Sequence, residues 1–244
     1  MSKPSDPSTT YVGSDEEVLL LGITGSTAYG LAHGDSDIDR LGIYCVPTTR
    51  VLGLDFAAER ASRVFTDPDD VQLHEISKFL RLALKANPTI TELLYLDSYE
   101  VRDERIEPLI EMRSKLLGQR VVRSAYAGYA MSQAERLTRR SGEGKRGFTS
   151  DLAKRTEKHG RHCFRLMLQC EQLLHDGEIT VDLSAHRDEL FAMGELAAHD
   201  VDAFRARFEE RKQAIDLMPS DLPLEPDLSA TEAFLVAFRR ANLD

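Results

Sequence analysis

The sequence predicts an α+β protein: a small mixed sheet in the N-terminal part and a helical C-terminal domain. Three observations predict it. Short apolar runs bounded by glycine crowd the first third of the chain, as buried strands do. Beyond Pro88, apolar residues recur at intervals of three and four, the helical period. A chain of 244 residues with 42% hydrophobic content also has enough apolar surface for an ordinary core.

The elements follow in order. "MSKPSDPSTTYVGSDE" is rich in Ser, Pro, Thr and Asp, so residues 1–16 read as a disordered lead-in without the apolar segment of a signal peptide. "EVLLLGI" is the first strand, and "TGSTAYGLA" a turn with one or two helical turns. "DIDRLGIYCV" alternates as a second strand, with "SRVFT" and "DVQLHEI" as the third and fourth. The last runs into the helical pattern "ISKFLRLALKAN", which Pro88 should close. "TITELLYL", "IEPLIEMRSKLL", "VVRSAYAGYAMSQAERLTRR", "TSDLAKRTEKHGRHCFRLMLQCEQLLHDG", "HRDELFAMGELA", "DVDAFRARFEERKQAIDLM" and "ATEAFLVAFRRA" read as helices. The expected organisation is a tail (1–16), a mixed domain (17–118) and a helical domain (119–244), with no internal repeat.

Composition excludes several classes. The longest clear apolar run, "VLLLGI", is far short of the roughly 20 residues that cross a bilayer. Cys45, Cys163 and Cys170 are odd in number and form no C-x-x-C pair, so reduced thiols in a cytoplasmic protein are expected. A net charge of -10 opposes a surface that binds nucleic acid all over, yet Arg136 to Arg165 carries +7, leaving -17 elsewhere. That window is either a solvated helical face or an anion site.

The chemistry concentrates in "GSTAYGLAHGDSDIDRLGIY". On a strand, Asp37 and Asp39 point to one face about 7 Å apart at Cα, and Ile38 to the other. Two carboxylates aimed at one spot need a counter-charge, which Mg²⁺ supplies. Upstream, Gly25-Ser26 occupies a strand-to-helix turn: the glycine lets backbone approach a ligand, and Ser26 offers a hydroxyl beside helix amides that suit an anion. An anion site next to a two-carboxylate metal site suits a nucleoside triphosphate. Asp35 follows Gly34 as turn residues do, and His33 reads as a turn or surface residue. Tyr29 and Tyr44 could stack on a base or simply pack.

These residues resemble the Gly-Ser…Asp-x-Asp signature of the DNA polymerase β-like nucleotidyltransferase superfamily. "DDVQLHEISKFLRLALKANPTITELLYL", "AGYAMSQAERL" and "EKHGRHCFRLMLQCEQLLHDGEITV" are similar to its RNA-ligase-associated branch, over roughly residues 17 to 195. The resemblance implies a nucleotidyltransferase catalytic domain at 17–118. It implies transfer of a nucleoside monophosphate from an NTP to an acceptor hydroxyl, an RNA end or tRNA by analogy, with release of pyrophosphate. Two Mg²⁺ ions, or Mn²⁺, would be held by Asp37 and Asp39, and the triphosphate by Gly25 and Ser26. It also implies a third carboxylate on a later strand. Asp70 is the first choice and Glu75 the second, with Asp69 more distant; Asp70 shares strand parity with Gln72 and His74, and Glu75 has the other parity.

In the helical half, Lys158, His159, His162 and Arg165 form one polar stripe. It either pairs with core carboxylates such as Glu92 or holds phosphate, giving Lys158, His162 and Arg165 as nucleotide-binding candidates. Two histidines at i,i+3 fall short of a zinc site. Lys145 and Arg146, in a Gly-flanked loop, could clamp a nucleic acid or be solvated. A nucleotide-sugar transferase would want a doubly wound sheet ahead of its Asp-x-Asp motif. A non-catalytic nucleotide-binding or toxin/antitoxin-type regulatory protein is the other alternative.

Overall fold

The computed structural model describes residues 11–32, 37–54, 60–66, 70–134 and 150–243, with side chains from 153 onward in the last stretch. Asp35, His33, Asp69, Lys145 and Arg146 lie outside the described residues, as does most of the lead-in. The α+β class expected from the sequence is observed.

Five strands form one mixed sheet in the order β3-β4-β2-β1-β5. They are β1 (Glu17–Thr24), β2 (Asp39–Cys45), β3 (Ser62–Phe65), β4 (Asp70–Glu75) and β5 (Val101–Arg102). β1 runs antiparallel to β2 and β5, β2 runs parallel to β4, and β3 runs antiparallel to β4. The four strands expected from apolar runs are present. β5 has two residues and no periodicity to betray it. Between strands lie a single helical turn, α1 (Gly25–Ala28), and α2 (Thr48–Leu52), which the sequence did not signal.

Both sheet faces are covered, which is why β1 reads as a continuous apolar run. One face takes Leu41, Ile43 and Cys45 from β2 and packs against α3 (Ile76–Ala83), α4 (Pro88–Leu93) and α5 (Glu107–Glu111). The other places Val18, Leu21, Tyr44, Val71 and Leu73 under Tyr11, Val51 and Phe65. Pro88 does not close α3, which ends at Ala83. It opens α4 instead, behind an Asn87 cap whose Oδ1 accepts the Ile90 amide at 3.3 Å. A proline lacks the amide that a first-turn position leaves unpaired in any case.

The chain divides into two compact units, Met1–Leu117 with Pro226–Asp244, and Gly118–Glu225. The boundary expected at 119–244 therefore changes at its far end, because the last helix, α10 (Leu228–Ala241), folds with the sheet. Phe238 enters the core beside Ile43 and Phe79. Arg239 donates to the carboxylate of Glu75, to Ser77 Oγ at 3.0 Å and to the Val46 carbonyl at 3.2 Å. Glu75 is fully buried, caps α3 by accepting the Ser77 amide at 2.8 Å, and has its charge balanced by Arg239.

The second unit is helical. α6 starts at Gln119–Val122, passes through a π turn at Arg123–Ala127 and continues over 128–134. It is followed by α7 (Ser150–Asp176), α8 (Arg187–His199) and α9 (Val201–Leu217). α7 and α8 approach closely at Gly160 and Gly194. A Cβ on Gly194 would come within 2.8 Å of the Glu157 carbonyl oxygen, and one on Gly160 within 3.1 Å of that of Met193. Phe204 packs between Phe164 and Phe208, and Arg211 ties α9 to Glu171 and Glu189 at 2.7–2.8 Å. Among the described residues no helix is long and apolar enough to cross a membrane. All three cysteines are buried and free.

Arg239→Leu strands the buried Glu75 charge, so it should cost about 3–5 kcal/mol, read as a lower urea midpoint. An unchanged midpoint would contradict the clamp.

Candidate active site

The ends of four strands build the site. β2 and β4 are parallel and begin in register, so Asp39 lies directly opposite Asp70, on strands about 4.8 Å apart. β1 is antiparallel and ends where β2 begins, pairing Thr24 with Asp39. β3 likewise ends beside the start of β4, pairing Phe65 with Val71. Gly25, Asp39, Asp70 and Phe65 thus stand in sheet order along one end.

An open pocket of about 330 Å³ lies there, lined by Thr24, Gly25, Tyr29, Asp39, Asp70 and Gln72 among others. Both carboxylates are exposed to it. Direct partners share a face, so Asp39 and Leu41 project with Asp70 and Gln72, and Val64 of β3, opposite Gln72, joins them.

Gly25 is required by the geometry. It has φ +69°, and a Cβ there would overlap Asp39 Oδ2 and come within 3.1 Å of its Cγ. The backbone at this turn reaches the carboxylate because no side chain intervenes. Ser26 follows in α1, which is one turn long, so its amides rather than a macrodipole would serve an anion. Tyr29 closes the same side: its hydroxyl donates to Glu92 Oε2 at 2.7 Å, and Glu92 is fully buried on α4. Sequence reasoning left Tyr29 as a residue that stacks on a base or simply packs and did not link it to Glu92, which it offered as a partner for the helical stripe.

The remaining candidates separate. Asp37 is exposed two residues ahead of β2, so the strand-parity argument does not extend to it. Glu75 sits at the far end of β4, opposite Tyr44 and five residues from Asp70, about 17 Å at strand rise. It is a structural carboxylate; of the two, Asp70 alone stands beside Asp39. Arg165 is buried in the helical unit. Its Nη1 donates to Gln169 Oε1 at 2.8 Å and its Nη2 lies 3.1 Å from His162 Nδ1. A guanidinium committed inside its own unit is not displayed to phosphate. Burial, then the neighbouring Arg165, lowers the His162 pKa to about 3, so this imidazole carries no charge for an anion at neutral pH. Lys158 is exposed.

Asp39 and Asp70 offer hard oxygen donors side by side. Mg²⁺ is commonly held by one or two carboxylates, with waters and substrate phosphates completing its octahedron, so the pair fits a metal–triphosphate complex. Among the described residues no three or more His, Cys, Asp or Glu side chains converge on a metal position. Sequence reasoning missed Thr24, Val64, Phe65 and Thr89 as pocket residues. Strand register, which no local pattern carries, brings most of them there.

A second polar cluster lies farther along the same face. Ser62 Oγ is 2.7 Å from His74 Nδ1 and accepts from Lys78 Nζ at 2.6 Å. Burial, then the Lys78 charge, lowers the His74 pKa to about 4.

Residues 9–214 match the family described as the RNA repair pathway DNA polymerase beta family, RlaP. Among curated proteins none matches the chain. Six solved chains match. One is a nucleotidyltransferase-like protein from Exiguobacterium sibiricum 255-15, at 12% identity and a TM-score of 0.30, covering 94% of this chain and 73% of that one. At that TM-score the likeness adds nothing to the architecture described above.

Two outcomes follow. Gly25→Ala should cost about 1–2 kcal/mol, because an L side chain is strained at positive φ, and a crystal structure of the variant should show the Asp39 carboxylate displaced. His74 is held neutral in the fold, so its contribution is complete above the unfolded pKa of about 6.5 and is lost as pH falls towards 4. Wild type should lose up to about 3 kcal/mol more than His74→Asn across that window in urea titrations; parallel profiles would refute it.

Proposed function

The chain belongs to the RNA repair pathway DNA polymerase beta family, and from that premise we propose that it is a metal-dependent nucleotidyltransferase acting on a nucleoside triphosphate. The observation that carries the reading is Asp39 facing Asp70 across the parallel pair β2–β4, with the Gly25 turn against the Asp39 carboxylate. Asp39 and Asp70, with Asp37 just ahead of the strand, would hold Mg²⁺ or Mn²⁺, which when bound would supply charge neutralisation at the transferring phosphorus.

The roles of the chain's own groups follow. Gly25 and Ser26 receive the β- and γ-phosphates on the β1 side of Asp39. Asp70, on the other side, takes the proton of the acceptor hydroxyl. The acceptor oxygen forms a bond to the α-phosphorus, the bond from that phosphorus to the β-phosphate oxygen breaks, and pyrophosphate leaves with the electron pair. Tyr29, anchored on Glu92, walls the pocket beside the donor. The family's description favours RNA as acceptor, an RNA end or a tRNA, over a small alcohol.

The test is transfer of label from each α-labelled NTP to RNA, tRNA or cell-extract acceptors with Mg²⁺ or Mn²⁺. Asp39→Asn and Asp70→Asn should each lower transfer by at least about 10³-fold, or about 4 kcal/mol of barrier, and Glu75→Gln should act on stability. Transfer surviving in both Asn variants would overturn the mechanism. Nucleotide binding without transfer to any acceptor would favour a non-catalytic regulatory protein.

A further inference from the structure

The proposed reaction fixes a direction. In-line displacement puts the attacking and leaving oxygens on opposite sides of the phosphorus. With pyrophosphate leaving on the Gly25 side of Asp39, the acceptor must enter past Asp70, over β4 and β3. That side of the sheet ends at β3, an edge strand.

The surface there has a definite composition. Gln72 is exposed one step along the face from Asp70, and Val64, its partner on β3, is 63% exposed. Phe65 lies half-buried at the strand end and lines the pocket. One step farther, Lys78 reaches from α3 across to Ser62. Arg81 follows Lys78 one turn along α3, and Lys85 stands in the turn just past the helix end; both are exposed. No carboxylate among the described residues pairs with Lys78 or Lys85. His74, beneath Ser62, is neutral and cannot offset or add to the Lys78 charge.

We infer that the acceptor is a single-stranded nucleic acid whose end crosses the β4–β3 edge over Gln72 and Val64, with its phosphates on Lys78 and Lys85. The inference rests on the nucleotidyltransferase reading for its direction. Charge complementarity selects the partner: exposed Val64 and Gln72 beside spaced single cations suit an anionic strand, in a chain whose net charge is -10. From Asp70 to His74, the residue under Ser62, is four strand steps, about 13 Å, so Lys78 would engage a phosphate inward of the reacting hydroxyl. A protein or small alcohol acceptor would have no use for the lysine pair.

The experiment measures binding of a short fluorescein-labelled single-stranded RNA by anisotropy, without nucleotide, over a series of salt concentrations. Lys78→Ala and Lys85→Glu should each weaken binding several-fold. Each should also lower the slope of log affinity against log salt by about 0.7, the contribution of one phosphate contact to a single strand. Lys154→Glu, an exposed position on α7 of the helical unit, should change neither. Lys85 projects into solvent, so its variant keeps the result readable if Lys78→Ala perturbs the Ser62 contact. Unchanged affinity and slope in both variants, or a loss confined to Lys154→Glu, or no RNA binding by the wild type, would overturn the assignment. Lysine-dependent RNA binding by a protein that transfers no label would uphold the surface while the enzymatic reading falls. Transfer that is abolished in Asp39→Asn but indifferent to both lysines would do the reverse.

Discussion

The parallel pairing of β2 with β4 is the constraint on which the rest of the site depends. Parallel strands cannot be joined by a tight hairpin, so residues 46–69 must cross over and return, and β3 comes back antiparallel on the outer side of β4. The register then sets the chemistry. Asp39 meets Asp70, Leu41 meets Gln72, and Tyr44 meets Glu75. A slip of one residue would turn Asp70 to the opposite face and drive Val71 out of the core beneath Tyr44 and Phe65. Apolar packing on both faces holds the register, and the carboxylates inherit their placement from it. Their mutual repulsion is tolerated because they stand at strand ends beside an open pocket, where water or a cation can reach them.

β4 carries two acids with opposite fates. Asp70 begins the strand in the open. Glu75 ends it in the interior, where a lone carboxylate would be costly. It is kept by a helix cap and by Arg239 from the far end of the chain. That pairing, with Phe238 in the core, makes α10 part of the sheet unit although about 150 residues lie between it and β4. The Thr48 hydroxyl, donating to the Arg239 carbonyl at 3.1 Å, also secures this helix.

Across the strands at the carboxylate end, character changes in order. On the β1 side, the backbone turn at Gly25 and the Tyr29–Glu92 pair wall the pocket with groups locked by buried contacts. In the middle stand the acids. On the β3 side the surface becomes apolar and then basic, through Val64, Ser62 and Lys78. An acidic centre thus stands between a walled side and a cationic edge, a local contrast that the overall acidity of the chain would not suggest.

The sequence by itself determined the α+β class, β1 to β4, the helices of the second half and the Gly25-Ser26 and Asp39 positions. Each rests on local information: apolar period, glycine at a turn, a carboxylate before an apolar run. It left Asp70 and Glu75 as alternatives, because strand parity says which face a residue takes but not which neighbour lies opposite. Tertiary structure separates their surroundings, since register puts Asp70 beside Asp39 and burial gives Glu75 to Arg239. The same holds for Arg165 and His162, whose helical spacing was legible while their burial was not. It holds for β5 and for α10, because a two-residue strand exists by pairing with β1 alone, and the unit a helix joins depends on contacts far away in sequence.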